Sequence, residues 1–233
     1  MKVSVIIPAA GLGTRMSRAG SPPARKQFLQ LEGESILAHT VRKFMAAPSV
    51  SEVVISVRPE DREWARDLLT KVEKTKPVRF AEGGDSRQQS VENALAILDH
   101  DTDLVAVHDA VRPFVSVETI ERVIAEAAAH GAAIVGVVPV DTVKQVHLNH
   151  IRTTIPRERL ILAQTPQVFR FDLLRQAFDR ARADGFVGTD ESSLVERLEQ
   201  VEVRVVPGSD RNIKITKPAD LELARMILGQ EEQ

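Results

Sequence analysis

Two cations, Arg15 and Lys26, stand close behind a turn almost free of side chains, built from Ala9, Ala10, Gly11 and Gly13. Small residues let backbone N–H groups approach a ligand closely, which suits phosphate oxygens. Cations beside such a turn suit a polyphosphate whose charge must be neutralised while it reacts. The competing reading is a tight strand–helix turn with exposed cations. Neither of the common phosphate fingerprints applies. No Gly-Lys-Ser/Thr follows the loop, and Met16 takes the third glycine position of the dinucleotide pattern.

Three further clusters carry polar chemistry. Gly83, Gly84, Asp85, Ser86, Arg87, Gln88, Gln89 and Ser90 follow a short apolar run at 78–81. This is either ordinary helix capping or a platform whose glycines admit a flat base and whose polar groups read its edge. Asp109 and Arg112 follow the apolar run 104–107, where a ligand of an open α/β sheet lies; Mg²⁺ favours one or two carboxylates plus phosphate oxygens at such a place. Arg157, Thr165-Pro166-Gln167, Thr189-Asp190-Glu191 and Arg211-Asn212-Ile213-Lys214 fall on expected loops or strand ends, with Thr189-Asp190 reading as a helix start. The six histidines show no metal-ligand spacing, and no Gly-x-Ser-x-Gly elbow is present.

These residues need a scaffold. Apolar, strand-like runs at 3–7, 53–57, 104–107, 132–138 and 201–206 alternate with helical spacing at 36–44, 60–74, 86–98 and 117–129. Such alternation predicts an α/β fold, a mostly parallel sheet with helices on both faces. Residues 139–163 break the rhythm: short β-prone pieces flank the turn-like Leu148-Asn149-His150 with no helical stripe. A lone hairpin is marginal in water, so it needs something to pack on, and a second copy of the chain is a plausible support.

Composition narrows the classes. The 233 residues fit one large α/β domain, 43% of them hydrophobic and 27% charged, as in a globular protein with a sizeable core. A formal net charge of −2 gives no basic surface for nucleic acid. The absence of cysteine excludes disulfides and thiol chemistry. The apolar run at the start is too short for a signal segment and nothing approaches a spanning helix, so no membrane partner and a cytoplasmic protein are expected.

Together the motifs at 8–16, 26–28, 83–91, 107–113, 141–144, 165–169, 189–191 and 212–216 resemble one family, the 2-C-methyl-D-erythritol 4-phosphate cytidylyltransferases, over nearly the whole chain. The resemblance implies a Rossmann-like nucleotidyltransferase fold over residues 1–233, with a β-arm at about 139–163 that hooks over a partner in a homodimer. It implies Mg²⁺, CTP and a polyol phosphate as substrate, with pyrophosphate released. By the same resemblance Arg15 and Lys26 stabilise charge at the α-phosphate, and Arg157 and Lys214 hold the attacking phosphate, Arg157 from the partner's arm. Ala9, Ala10, Gly11 and Gly13 would line the triphosphate and ribose, and Gly84, Asp85 and Ser90 would read the cytosine. Asp109 would serve the metal or the bound substrate, with Arg112 and Thr142 near the erythritol. The chain departs from the family's common spacing between Arg15 and Lys26, where it is longer and adds Arg18 and Arg25. Two other readings are a relative that activates another polyol phosphate, such as ribitol 5-phosphate, and a non-catalytic nucleotide-binding module. The pairing of Arg15 with Lys26 argues against the module, because binding alone does not need two cations at the α-phosphate.

Overall fold

The computed structural model describes residues 1–11 and 25–231. Gly13 and Arg15 lie outside the described residues. The first strand, β1 (Val3–Pro8), is buried from Val3 to Ile7 because its β-branched side chains have an apolar layer on either side. Val3, Val5 and Ile7 enter one core cluster and Ile6 the other, the alternation a strand imposes. Each such buried aliphatic side chain contributes about 1.5–3 kcal/mol.

Next in the chain come the short strands β2 (Gln30–Leu31) and β3 (Glu34–Ser35), then α1 (Ile36–Ala46), β4 (Glu52–Val57), α2 (Arg62–Leu68), β5 (Val78–Glu82), α3 (Arg87–Ala96), β6 (Leu104–Val107), α4 (Val117–His130) and β7 (Ala132–Val137). A hairpin of β8 (Val143–His147) and β9 (His150–Ile155) follows. The chain continues through β10 (Leu162–Arg170), α5 (Phe171–Ala183), α6 (Glu191–Glu196), β11 (Arg204–Pro207) and α7 (Pro218–Glu231). Seven strands form one sheet in the order β11-β7-β10-β6-β1-β4-β5. All neighbours are parallel except β10, which runs antiparallel to both β6 and β7. Residues of α1, α2 and α4 pack on one face of the sheet, and residues of α3, α5 and α6 on the other.

The expected α/β architecture with a mostly parallel sheet is present, with three local differences. Strand β10 carries Pro166, which cannot donate to a ladder, and the register shifts between Ala163 and Gln167 to accommodate it. The helical spacing at 60–74 is realised as a 3-10 turn at Pro59–Asp61, then α2, then further turns. The buried stripe Ala65, Leu69 and Val72 survives because i→i+3 turns repeat at nearly the helical spacing. The last sheet strand begins at Arg204 rather than 201, while Val201 and Val203 pack half-buried on the core.

Residues 139–163 contain the hairpin the sequence suggested. Its turn residues Leu148 and Asn149 both have positive φ, 47° and 64°, between the paired His147 and His150. Two left-handed residues are what a two-residue type I′ turn demands. The arm stands clear of the sheet, with Val146, Leu148 and Ile151 exposed.

Candidate active site

The carboxyl ends of β1, β4, β5 and β6 converge on a cleft of about 390 Å³. The chain crosses from one side of β1 to the other between β5 and β6, so the cleft opens where doubly wound sheets bind ligands. Among the described residues, four cations (Lys26, Arg58, Arg87 and Lys214) and two carboxylates (Asp85 and Asp109) line it. That balance favours an anionic ligand.

One wall is the loop after β1. Ala9 donates its N–H to the Ser56 carbonyl at 2.8 Å. Buried Gln27 donates Nε2 to the carbonyls of Ala9 and Gly11 at 2.6 and 3.2 Å, and Arg58 Nε donates to the Ala10 carbonyl at 3.1 Å. Those hydrogen bonds hold the carbonyls of Ala9, Ala10 and Gly11 on the wall shared with Lys26. Lys26 itself begins a 3-10 turn whose Phe28 stacks edge-on against Trp64.

The second wall is the turn between β5 and α3. Gly83 donates to the Val57 carbonyl at 2.7 Å and lies so close to the first wall that a Cβ there would sit 2.2 Å from the Cβ of Ala10. Ser86 caps α3 by accepting the Gln89 N–H. The Ser90 hydroxyl accepts the Gly84 N–H at 3.0 Å and donates to the Ser86 carbonyl at 2.8 Å, so it shapes this platform from within. Gly84 and Asp85 form the platform's rim on the cleft.

The floor is Asp109, directly after β6. Its Oδ1 takes Arg87 Nε at 3.0 Å; its Oδ2 takes Lys214 Nζ at 2.8 Å and faces Arg112 Nε at 3.5 Å. Burial pushes the Asp109 carboxyl up, but Arg87, Lys214 and Arg112 outweigh it and hold the group well below the usual carboxylate range. A chain of hydrogen bonds fixes its backbone. The Asp109 N–H donates to Thr165 Oγ1 at 3.1 Å, and that hydroxyl is 3.1 Å from Nδ1 of the buried His108. The other ring nitrogen is 3.0 Å from the Arg112 carbonyl, which assigns the proton to Nε2 and leaves Nδ1 to accept from Thr165. Burial pushes His108 down to about 4, so the ring is neutral at ordinary pH.

Lys214 is placed by the segment before α7. Asn212 donates Nδ2 to Gln164 Oε1 and to the Thr165 carbonyl, its own carbonyl accepts Arg112 Nη1 at 2.6 Å, and the Ile215 N–H donates to the Val111 carbonyl. These bonds tie Lys214 to both β10 and the loop after β6.

The family model for IspD, 2-C-methyl-D-erythritol 4-phosphate cytidylyltransferase, matches residues 3–230. The chain belongs to this family. A relative of that name from Solibacter usitatus (strain Ellin6076) is 61% identical, over 99% of this chain and 97% of its own length. Another from Acidobacterium capsulatum is 52% identical over 99% and 98%. The solved structure of 2-C-methyl-D-erythritol 4-phosphate cytidylyltransferase from Thermus thermophilus aligns with a TM-score of 0.77 at 36% identity, covering 97% of this chain and 98% of that one. The 4-diphosphocytidyl-2C-methyl-D-erythritol synthase of Anaerococcus prevotii DSM 20548 aligns at 0.85 and 30% identity, over 97% and 98%.

Of the residues singled out in this IspD-family sequence, Ala9, Ala10, Gly11, Lys26, Gly84, Asp85, Ser90, Asp109 and Lys214 all line the one cleft. Arg112 stands behind Asp109 as an ion-pair partner. Thr142 and Arg157 do not line the cleft of their own chain. Both are on the exposed arm, where the Arg157 guanidinium donates to the Val140 carbonyl. The structure adds Gln27, Arg58 and Arg87 to the lining. Gln27 and Arg87 sit inside motifs already noted, but their work depends on partners distant in sequence: Gln27 on the Ala9 carbonyl, Arg87 on Asp109 and Glu191.

Proposed function

We propose that this cleft joins CTP to 2-C-methyl-D-erythritol 4-phosphate, giving 4-diphosphocytidyl-2-C-methyl-D-erythritol and pyrophosphate. The observation that carries the reading is one cavity holding two separate cationic stations, Lys26 beside the small-residue loop and Lys214 on Asp109. Transfer between two phosphate-bearing substrates needs such a pair. Family membership names the acceptor, and nothing in the cleft favours ribitol 5-phosphate over it.

In the proposed reaction a phosphate oxygen of the acceptor attacks the α-phosphorus of CTP in line. The bond from that phosphorus to the β-phosphate oxygen breaks, and pyrophosphate leaves with the electron pair. The nucleophile is already anionic, so no protein base is required. Ala9, Ala10 and Gly11 would present backbone to the triphosphate, while Gly84 and Asp85, on the platform braced by Ser90, would meet the cytosine. Arg15 and Lys26 would neutralise charge growing at the α-phosphate. Lys214 would take the acceptor's phosphate, exchanging Asp109 for it. Arg112 and Thr142 would border the erythritol.

Mg²⁺ belongs to the incoming nucleotide in this scheme. Both oxygens of Asp109 are engaged by cations, and the described residues hold no cluster of three metal-ligating side chains. The described residues therefore offer no metal cage of their own, and a magnesium–CTP complex, held mainly by its own phosphates near Asp109, fits better.

The arm supports a homodimer. Val146 and Ile151 are paired across the hairpin and exposed, as is Leu148, and a two-stranded ribbon needs a packing surface. A second copy would supply that surface and receive Arg157 and Thr142 into its cleft. No described helix is long and apolar enough to cross a membrane, and water-soluble substrates make the cytoplasm the expected compartment.

Lys26→Ala tests the assignment of the first station. It should keep CTP affinity within about tenfold and lower pyrophosphate release by roughly 10²–10³, the loss typical of a missing transition-state donor. Near-normal release would overturn the assignment.

A further inference from the structure

Arg87 and Glu191 form a structure that the reaction scheme does not use. Arg87 opens α3 and Glu191 opens α6, two elements 104 residues apart in sequence. The guanidinium donates Nη1 to Glu191 Oε1 at 2.7 Å and Nε to Asp109 Oδ1 at 3.0 Å. The result is a line of alternating charge, Glu191–Arg87–Asp109–Lys214. Glu191, 2% exposed, lies in the interior, while Arg87, Asp109 and Lys214 all line the cleft.

Glu191 is a poor choice for stability alone. It is buried, and its Oε2 has no hydrogen-bond partner among the described residues. Burial pushes its carboxyl up, against the pull of Arg87. A well-packed apolar residue usually does as well as or better than a buried ion pair. Its neighbourhood is nevertheless built to hold it still. Asp190 caps α6, Gln167 of β10 donates to Asp190 Oδ2 at 2.8 Å, and Gln167 Oε1 accepts the Ser192 N–H at 3.0 Å.

We propose that Arg87, held by Glu191, is the positioning residue that fixes the Asp109 carboxylate for the polyol phosphate. Glu191 satisfies one side of the guanidinium, so Arg87 stays turned toward Asp109 instead of swinging onto the nucleotide's phosphates in the cleft it lines. Asp109 is then gripped at Oδ1 by Arg87, while Oδ2, which faces both Lys214 and Arg112, keeps Arg112 beside it when Lys214 moves to the acceptor's phosphate. The device selects and orders the second substrate, not the first. Lysine cannot replace arginine here, because a single ammonium lacks the rigid fork that reaches both carboxylates.

This role rests on the proposed function, and wild-type turnover separates the two. An inactive wild type with CTP, Mg²⁺ and 2-C-methyl-D-erythritol 4-phosphate removes the function and this role with it. An active wild type with indifferent variants removes only the role. The variants are Glu191→Gln, Arg87→Lys, Asp109→Asn and the double Arg87→Lys/Asp109→Asn, each measured for kcat, for KM of both substrates and for CTP binding without acceptor. We expect Glu191→Gln and Arg87→Lys to raise the acceptor KM by about tenfold or more, the scale of a misplaced binding group. CTP affinity should stay within about twofold, and Arg87→Lys should add less than about twofold once Asp109 is Asn, since coupled residues are not additive. Equal weakening of CTP binding, full additivity with Asp109→Asn, or an unchanged acceptor KM would each overturn the proposal. If Arg87→Lys does not fold, the isosteric Glu191→Gln, which removes the charge that holds Arg87 and keeps the side-chain volume, decides the matter.

Discussion

Replacing Gly83 by Ala should damage the nucleotide site more than the fold. A Cβ at position 83 would lie 2.2 Å from the Cβ of Ala10, and 3.1 and 3.2 Å from the carbonyl carbon and oxygen of Val57. Methyl carbons pack at roughly 3.5–4.0 Å, so the two walls must separate by about 1.5 Å. No flexible side chain can absorb this, because the Gly83 N–H is bonded to the Val57 carbonyl and the loop around Ala10 is pinned by Arg58 and Gln27. Overpacking of this kind costs about 1–3 kcal/mol of stability. For a chain of this size each kcal/mol lowers Tm by about 2–4 °C, so the folded protein should persist at room temperature. The site is less forgiving: a shift of about 1 Å in a positioning wall can lower rate about 10²-fold. Steady-state pyrophosphate release, CTP binding and a thermal melt should therefore show a modest Tm drop, weaker CTP binding and kcat/KM for CTP down by roughly two orders of magnitude. A folded Gly83→Ala protein with wild-type CTP binding and turnover would refute the close apposition of the two walls.

The pH dependence of stability should carry the signature of His108. Its folded-state value is about 4 and its ordinary one 6.5, so the unfolded chain binds the extra proton between those limits. Stability is therefore lost as pH falls from about 6.5 to 4, by about 3 kcal/mol from this group. Denaturant titrations across that window should show His108→Gln starting less stable but losing less than the wild type; parallel losses in the two proteins would contradict a buried neutral imidazole. The arm makes a separate prediction. Replacing residues 141–160 with a short glycine linker should give a monomer that binds CTP but releases no pyrophosphate, and sedimentation of a fully active monomer would refute a site completed by a second copy.

The sequence made the elements legible wherever burial is periodic. Strand β1, buried on both faces, reads as a β-branched run broken only by Ser4 and ended by Pro8, and the stripe of α4 (Ile120, Val123, Ile124 and Ala127) follows helical spacing. Strand β10 was hidden because its inward positions do chemistry. Gln164, Thr165 and Gln167 are buried polar groups spent on Asn212, His108 and α6, and Pro166 argues locally against a central strand. The same holds for the site. Residues whose type and loop position suffice, such as Lys26 and Asp109, stand out in the chain itself, whereas Lys214 is singled out only by the family resemblance. Arg87, Gln27 and Glu191 act through partners that only the folded chain brings near, and no spacing rule reports a contact across 104 residues.

The central claim is that one cleft holds a cytidine nucleotide and a polyol phosphate at two cationic stations. The most direct test is pyrophosphate release by the full chain with Mg²⁺, comparing CTP with UTP and ATP, and 2-C-methyl-D-erythritol 4-phosphate with ribitol 5-phosphate and with no acceptor. Release should require CTP together with the erythritol phosphate. Equal release with ribitol 5-phosphate, with another nucleotide or without any acceptor would contradict it.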